Sequence, residues 1–141
     1  MNALSITVNQ YRVFLGLLGA YLIVHFGYLS FFATELFSSS GMLPAGDLSP
    51  LWGIVPTLFA LSDSPLMVSV ATTSGVVAAL AIMTGRWSRV AAAWTLFLLI
   101  SLFVRNPLIA NPSMPYLGFM LLLHLFVPRL PARGAEISTQ P

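Results

Sequence analysis

Long apolar stretches separated by short polar segments dominate the chain. Three of them, at about 13–33, 65–84 and 87–104, approach the length of about 20 residues that a helix needs to cross a hydrocarbon core about 30 Å thick. A fourth stretch, at about 112–128, is shorter and rich in proline, so we expect it to be tilted or kinked. The pattern predicts an all-α integral membrane protein, a four-transmembrane-helix bundle.

The polar segment after the first stretch predicts a long loop at 34–64, broken by glycine and proline. Within it, 51–61 is apolar but too short to span and is interrupted by Pro56, which indicates an interfacial or re-entrant segment with Trp52 at headgroup depth. We therefore expect a single bundle over 1–128. The polar residues 129–141 are expected to form a cytoplasmic tail.

The amino-acid composition indicates that most of the protein's outer surface contacts lipid. Hydrophobic residues make up 57% of the chain and charged residues 7%, against about 45–50% and about 25% in soluble domains. The net charge of +2 comes from six arginines and four acids, which gives no basic patch for nucleic acid. Cysteine and lysine are absent, so thiolate chemistry and lysine bases are excluded.

The arginines predict the orientation, because cytoplasmic loops are enriched in positive residues. With four spans and both termini in the cytoplasm, only Arg105 lies outside, and five arginines lie inside: Arg12, Arg86, Arg89, Arg129 and Arg133. We expect a multi-pass protein of a bacterial-type inner membrane, with the loop 34–64 outside.

Small residues predict where the helices approach each other, since they let membrane helices pack closely. The first span offers Gly16, Ala20 and Gly27, and the second offers Thr72, Gly75 and Ala79. We expect both sets to pack within this chain, and a dimer contact is the alternative.

Two histidines lie in the predicted spans. His25 shares a helix face with Tyr21 and Tyr28, and this stripe is expected to face the bundle interior because it is polar. We expect a neutral, hydrogen-bonded His25, whose partner is a tyrosine hydroxyl or a small polar side chain such as Ser69, Thr72 or Thr73. His25 and His124 together could instead bind haem or a quinone, but no cofactor is the main expectation.

Arg105 and Asn106 end the third span before Pro107. A guanidinium has five donors, which suit carbonyls, carboxylates and lipid phosphates, so we expect Arg105 to tie down this turn rather than bind a substrate. No nucleophile and base, phosphate loop or metal-ligand motif appears in the sequence, so catalytic and metal-binding residues are not expected.

The segments 84–92 (TGRWSRVAA) and 101–109 (SLFVRNPLI) resemble the HTTM domain, the membrane domain related to vitamin K-dependent gamma-carboxylases. The glycine-arginine turn before an alanine-rich helix is also similar to DoxX-like four-helix membrane proteins. The resemblance implies a carboxylase ancestry, but carboxylases of this family use a lysine base and a large lumenal domain, which this sequence lacks. Where the family pattern has a Gly-Asp turn, 111–114 reads NPSM. We therefore do not expect carboxylation by this chain.

Two functions remain after these exclusions. The first is a non-catalytic accessory subunit that stabilises or assembles a larger inner-membrane complex, with lipids and other integral membrane subunits as partners. The alternative is a redox or quinone-handling membrane subunit that uses His25 and His124, which the similarity to DoxX-like proteins favours only by analogy.

Overall fold

The computed structural model describes residues 8–43, 49–109 and 111–127, and these contain helices and no strand. The five α-helices are α1 Val8–Phe31, α2 Ala33–Phe37, α3 Pro65–Thr84, α4 Ser88–Arg105 and α5 Ser113–Phe126. Two 3-10 turns, Leu58–Ala60 and Pro107–Ile109, precede α3 and α5. The predicted tail 129–141 lies outside the described residues.

Local signals fix the ends of α3. The Oγ atom of Ser64 accepts a hydrogen bond from the backbone N–H of Met67 at 3.3 Å, and Pro65 occupies the first turn, where no intrahelical donor is needed. Gly85 ends the helix in the left-handed conformation, with φ of 74°. Trp87 is also left-handed, with φ of 55°, so three residues reverse the chain into α4.

The helices pack in chain order: α1 lies against α3, α3 against α4, and α4 against α5. The closest approaches occur at glycine. A Cβ on Gly19 would lie 2.6 Å from the Cβ of Met83, and a Cβ on Gly75 would lie 2.4 Å from the ring of Phe26. The fully buried side chains at the centre of the bundle include Leu22, Phe26, Ala79, Ile82 and Leu98.

Three helices, α1, α3 and α4, are long and apolar enough to cross a membrane. This confirms the all-helical prediction and supports a membrane protein. The fourth apolar helix, α5, has 14 residues and rises only about 21 Å. Its span is therefore about 9 Å shorter than a hydrocarbon core of about 30 Å.

The expected packing of small residues is confirmed for α3 and wrong for α1. Thr72, Gly75 and Ala79 are buried. By contrast, a Cβ on Gly16 or Gly27 would meet nothing within 4 Å, and Ala20 is exposed. The reason is the register of α1: its core face is formed by large side chains at Leu15, Leu22, Phe26 and Leu29 and by Gly19, so the other small residues point away from α3.

Candidate functional site

Polar side chains collect at the two ends of the bundle. We call residues 32–43, 57–64 and 104–109 the Arg105 end, and residues 8–12, 84–89 and 124–127 the Arg89 end. A third candidate, an apolar groove between α1 and α5, lies between them.

Arg105 is the largest fully buried side chain of the described residues, with 1% of its surface exposed. Its Nη2 atom donates to the backbone oxygen of Leu43 at 2.7 Å and to Oδ2 of Asp63 at 3.2 Å. The Asp63 side chain is 28% exposed. The hydrogen bond to Leu43 joins the end of α4 to the loop after α2. The ion pair joins it to Asp63, the residue before the N-cap of α3.

Asn106 extends the same network. Its Nδ2 atom donates to the backbone oxygen of Leu36 at 2.9 Å, and its Oδ1 atom accepts from the backbone N–H of Leu108 at 3.1 Å. The first contact binds α2, and the second closes the turn that contains Pro107. The sequence pattern pointed to Arg105 and Asn106 but not to their partners, because three of the four partners are backbone atoms and three lie more than 40 residues away.

The segment before α3 is bound to α4 one turn below Arg105. The backbone N–H of Leu58 donates to Oγ of Ser101 at 3.1 Å, and Oγ1 of Thr57 donates to the backbone oxygen of Ser101 at 3.5 Å. Phe59 is buried beside them. The predicted interfacial segment 51–61 thus contains turns and one 3-10 helix that pack on the bundle.

The Arg105 end suits a structural role better than ligand binding. Within the described residues, Nε and Nη1 of Arg105 are buried without hydrogen-bond partners. A guanidinium can bind a carboxylate or phosphate through two bidentate edges, and both of them include Nη2. In Arg105 that atom already donates to Leu43 and Asp63. A bidentate grip on a carboxylate or phosphate would therefore displace contacts that hold the loop.

The Arg89 end joins α1, α4 and α5. The hydroxyl of Tyr11 hydrogen-bonds Nδ1 of His124, and His124 is 4% exposed. Nη2 of Arg89 donates to the backbone oxygen of Val127, three residues after His124. No periodic pattern predicts this pair, because Tyr11 and His124 lie 113 residues apart.

His25 does not have the environment expected for it. Its Nε2 atom is buried without a partner among the described residues, and its ring lies between those of Tyr21 and Phe26, with centroids 6.1 and 5.7 Å away. Thr72 donates instead to the backbone of its own helix. The hydroxyl of Tyr21 bonds Ser113. The predicted hydrogen bond of His25, to a tyrosine hydroxyl or to a small polar residue of α3, is therefore wrong for its buried Nε2 atom.

The prediction that the Tyr21, His25 and Tyr28 stripe faces the interior is wrong for the two tyrosines, whereas His25 is half-buried. Tyr21 is 45% exposed and Tyr28 is 63% exposed. Leu22, Phe26 and Leu29 share the neighbouring face of α1 and are buried. Phe26 packs on Gly75 of α3, and close packing of this kind drives the association of membrane helices. The tyrosines consequently lie at the edge of the bundle.

The two histidines lie far apart. His124 bonds Tyr11, which precedes His25 by 14 residues, or about 21 Å of helical rise. Two axial ligands of one haem iron must approach the metal within a few ångströms. The geometry therefore does not allow His25 and His124 to hold one haem.

The groove between α1 and α5 has a volume of about 350 Å³. Its walls are formed by Phe14, Leu17 and Leu18 from α1 and by Tyr116, Leu117 and Met120 from α5. The hydroxyl of Tyr21 and Oγ of Ser113, 3.1 Å apart, close one end. Beyond the other end, about one turn from Phe14, the hydrogen bond between Tyr11 and His124 bridges the same two helices.

No family model matches the chain, and neither the curated proteins nor the solved structures contain a match. The resemblance to the HTTM domain and to DoxX-like proteins therefore stays a prediction. In the part of the chain that the structure describes, no group of three or more histidines and acids is placed to hold a metal ion.

Proposed function

We propose that the chain is a non-catalytic accessory subunit that stabilises or assembles a larger inner-membrane complex. Two features support this function. The buried polar side chains of the Arg105 end bind the protein's own backbone, and one face of α1 is open to a second membrane helix. The redox alternative has less support, because His25 and His124 lie too far apart to hold one haem.

The open face of α1 carries the proposal. We define it by Gly16, Ala20, Val24 and Gly27. Val24 is 73% exposed, and added Cβ atoms on Gly16 and Gly27 would meet no described atom within 4 Å. Small residues on a membrane helix allow another backbone to approach closely, which is how such helices associate without a hydrophobic driving force.

Photo-crosslinking tests whether this face contacts another subunit. A photoreactive amino acid at Val24 is expected to form a covalent product with a different polypeptide in native membranes. The matched control is Val77, which is 62% exposed on α3 and should give no such product. A product of twice the chain's own mass from Val24 would instead indicate a dimer and contradict the accessory role.

A substitution on the open face gives a second test. The added side chain of Gly16→Leu has room on the open face. We therefore expect this variant to fold normally but to stop co-purifying with the partner subunits in mild detergent. Gly19→Leu, three residues away, is the contrasting variant, because Met83 occupies the space and the bundle itself should be disrupted. A folded Gly16→Leu protein that still co-purifies with its complex would refute the proposed contact.

The proposed topology has four spans, both termini in the cytoplasm and the Arg105 end outside. Since α5 rises only about 21 Å, we propose that it spans with local thinning of the bilayer or with flanking residues at the interface. The segment 51–61 then lies at the outer headgroup level. Because the chain contains no cysteine, Ser39→Cys should react with an impermeant thiol reagent from outside and Ser88→Cys should not. The reverse result would invert the topology.

A further inference from the structure

We infer that the groove between α1 and α5 binds one acyl chain of an anionic phospholipid, with the lipid phosphate beside Arg89. This inference goes beyond the proposed function, because it concerns a lipid site within the chain and requires no partner protein. Four observations support it: the apolar walls, the depth of the groove, its closed ends and the charges nearby.

The walls and depth fit one hydrocarbon chain. The six wall residues Phe14, Leu17, Leu18, Tyr116, Leu117 and Met120 present aliphatic and aromatic surface. Along α1 the groove runs from Phe14 to Tyr21, a rise of about 10 Å. One leaflet contributes about half of a hydrocarbon core about 30 Å thick. A groove that starts near the Arg89 end therefore lies within the leaflet whose headgroups meet that end.

The closed ends define how the chain enters. Tyr21 and Ser113 bridge the helices at one end, and Tyr11 with His124 bridges them at the other. An acyl chain consequently enters from the side, where the groove opens to the bilayer. A second transmembrane helix is a poor occupant, because two bridges about 15 Å apart along α1 leave too little length for its side chains to pack.

Charge identifies the headgroup. Among the described residues, the Arg89 end carries Arg12, Arg86 and Arg89 and no acid, whereas Glu35 and Asp63 lie at the Arg105 end. Arg89 lies beside the end of α5, since its Nη2 atom donates to the backbone oxygen of Val127, and α5 forms one wall of the groove. Arg12 points to the opposite side of α1 by helical register. An anionic phosphate is thus attracted most directly to Arg89.

The test uses two photoreactive lipids with the same diazirine-labelled acyl chain, phosphatidylglycerol and phosphatidylcholine, reconstituted with the full chain. We expect labelling at 14–21 and 113–120, with phosphatidylglycerol about fivefold more efficient, as expected for one arginine near an anionic headgroup. Labelling around Val77, on the exposed face of α3, should show no headgroup preference. Equal labelling of both regions by both lipids would overturn the inference.

Two variants assign the parts of the site. Leu17→Trp fills the groove from an exposed position and should reduce groove labelling by both lipids, whereas Val24→Trp on the open face should not. Arg89→Gln should abolish the preference for phosphatidylglycerol and leave chain labelling intact, whereas Arg12→Gln should keep the preference. If Leu17→Trp leaves groove labelling unchanged, the acyl chain does not occupy the groove. If Arg89→Gln keeps the full preference, the phosphate is bound elsewhere.

Discussion

The two ends of the bundle use arginine in opposite ways. Arg105 is buried and binds a loop carbonyl and Asp63, whereas Arg12 and Arg86 are exposed and Arg89 is half-buried. Burying a guanidinium requires that its charge and donors be compensated within the protein. The Arg105 end is therefore built around its cation, while at the Arg89 end two of the three described arginines, Arg12 and Arg86, are exposed.

The connections at each end explain this difference. At the Arg89 end three residues link α3 to α4, and the left-handed conformations of Gly85 and Trp87 make the turn. At the Arg105 end about thirty residues separate α1 from α3, and their backbone groups need partners beside an apolar bundle. Arg105, Asn106 and Ser101 supply those partners. The Arg105 end should accordingly be the more sensitive to substitution.

The largest effect is expected for Arg105→Ala. Loss of the charged hydrogen bonds to Leu43 and Asp63 should lower the free energy of unfolding by about 2–4 kcal/mol. The measurement is reversible unfolding of the purified protein in mixed detergent micelles. Arg12→Ala, which removes an exposed guanidinium, is the matched control and should change stability by less than about 0.5 kcal/mol. Equal losses for the two variants would remove the contrast between the ends.

A smaller loss, about 1–3 kcal/mol, is expected for Asn106→Ala, since Leu36 loses its donor and Leu108 loses its acceptor in a buried setting. Faster cleavage by an external protease after α2 should accompany it, because Asn106 holds that helix in place. Asn111→Ala serves as the control, as Asn111 is exposed and bonds only near itself among the described contacts. Unchanged cleavage in Asn106→Ala would show that α2 is held by other contacts.

At the opposite end, Arg89→Ala should cost about 0.5–1 kcal/mol, because one hydrogen bond to Val127 is lost by a half-buried side chain. The loss of stability in Arg89→Ala should not depend on the contacts of Arg105. The double variant Arg89→Ala/Arg105→Ala should therefore lose the sum of the two single effects. A double-mutant cycle measures this. Strong non-additivity would mean that the two ends do not act separately.

Hydrophobic length and the turn residues were sufficient to predict the helical class, the three long spans and the boundary of α3 at Gly85. The faces of α1 were not predictable from small residues and polarity alone. Gly16 and Gly19 are both glycines, yet only Gly19 meets α3, and the choice depends on where Leu22 and Phe26 can be buried. Periodicity gives the faces of a helix, but the partner helix decides which of them is the core.

The site was predictable to a similar extent. Arg105 and Asn106 were visible as polar residues ending a span, whereas their contacts depend on a loop fold that has no periodic signal. His25 and His124 were correctly placed on helices, but depth along α1 separates them. Short-range patterns therefore found candidate residues, and only the tertiary arrangement showed which of them meet.

The smallest effect is expected for Tyr11→Phe, which removes the hydroxyl bound to His124 and keeps the ring stacked near Phe14. Side-chain hydrogen bonds between membrane helices average about 0.6 kcal/mol, since the unfolded segments also find partners in the membrane, and a loss of that size is predicted in micelle unfolding. Tyr28→Phe is the control, because Tyr28 is 63% exposed and has no hydroxyl contact to lose among the described hydrogen bonds. A loss above about 2 kcal/mol for Tyr11→Phe would mean that the Arg89 end depends on buried polar contacts as much as the Arg105 end does. The proposed difference between the two ends would then be wrong.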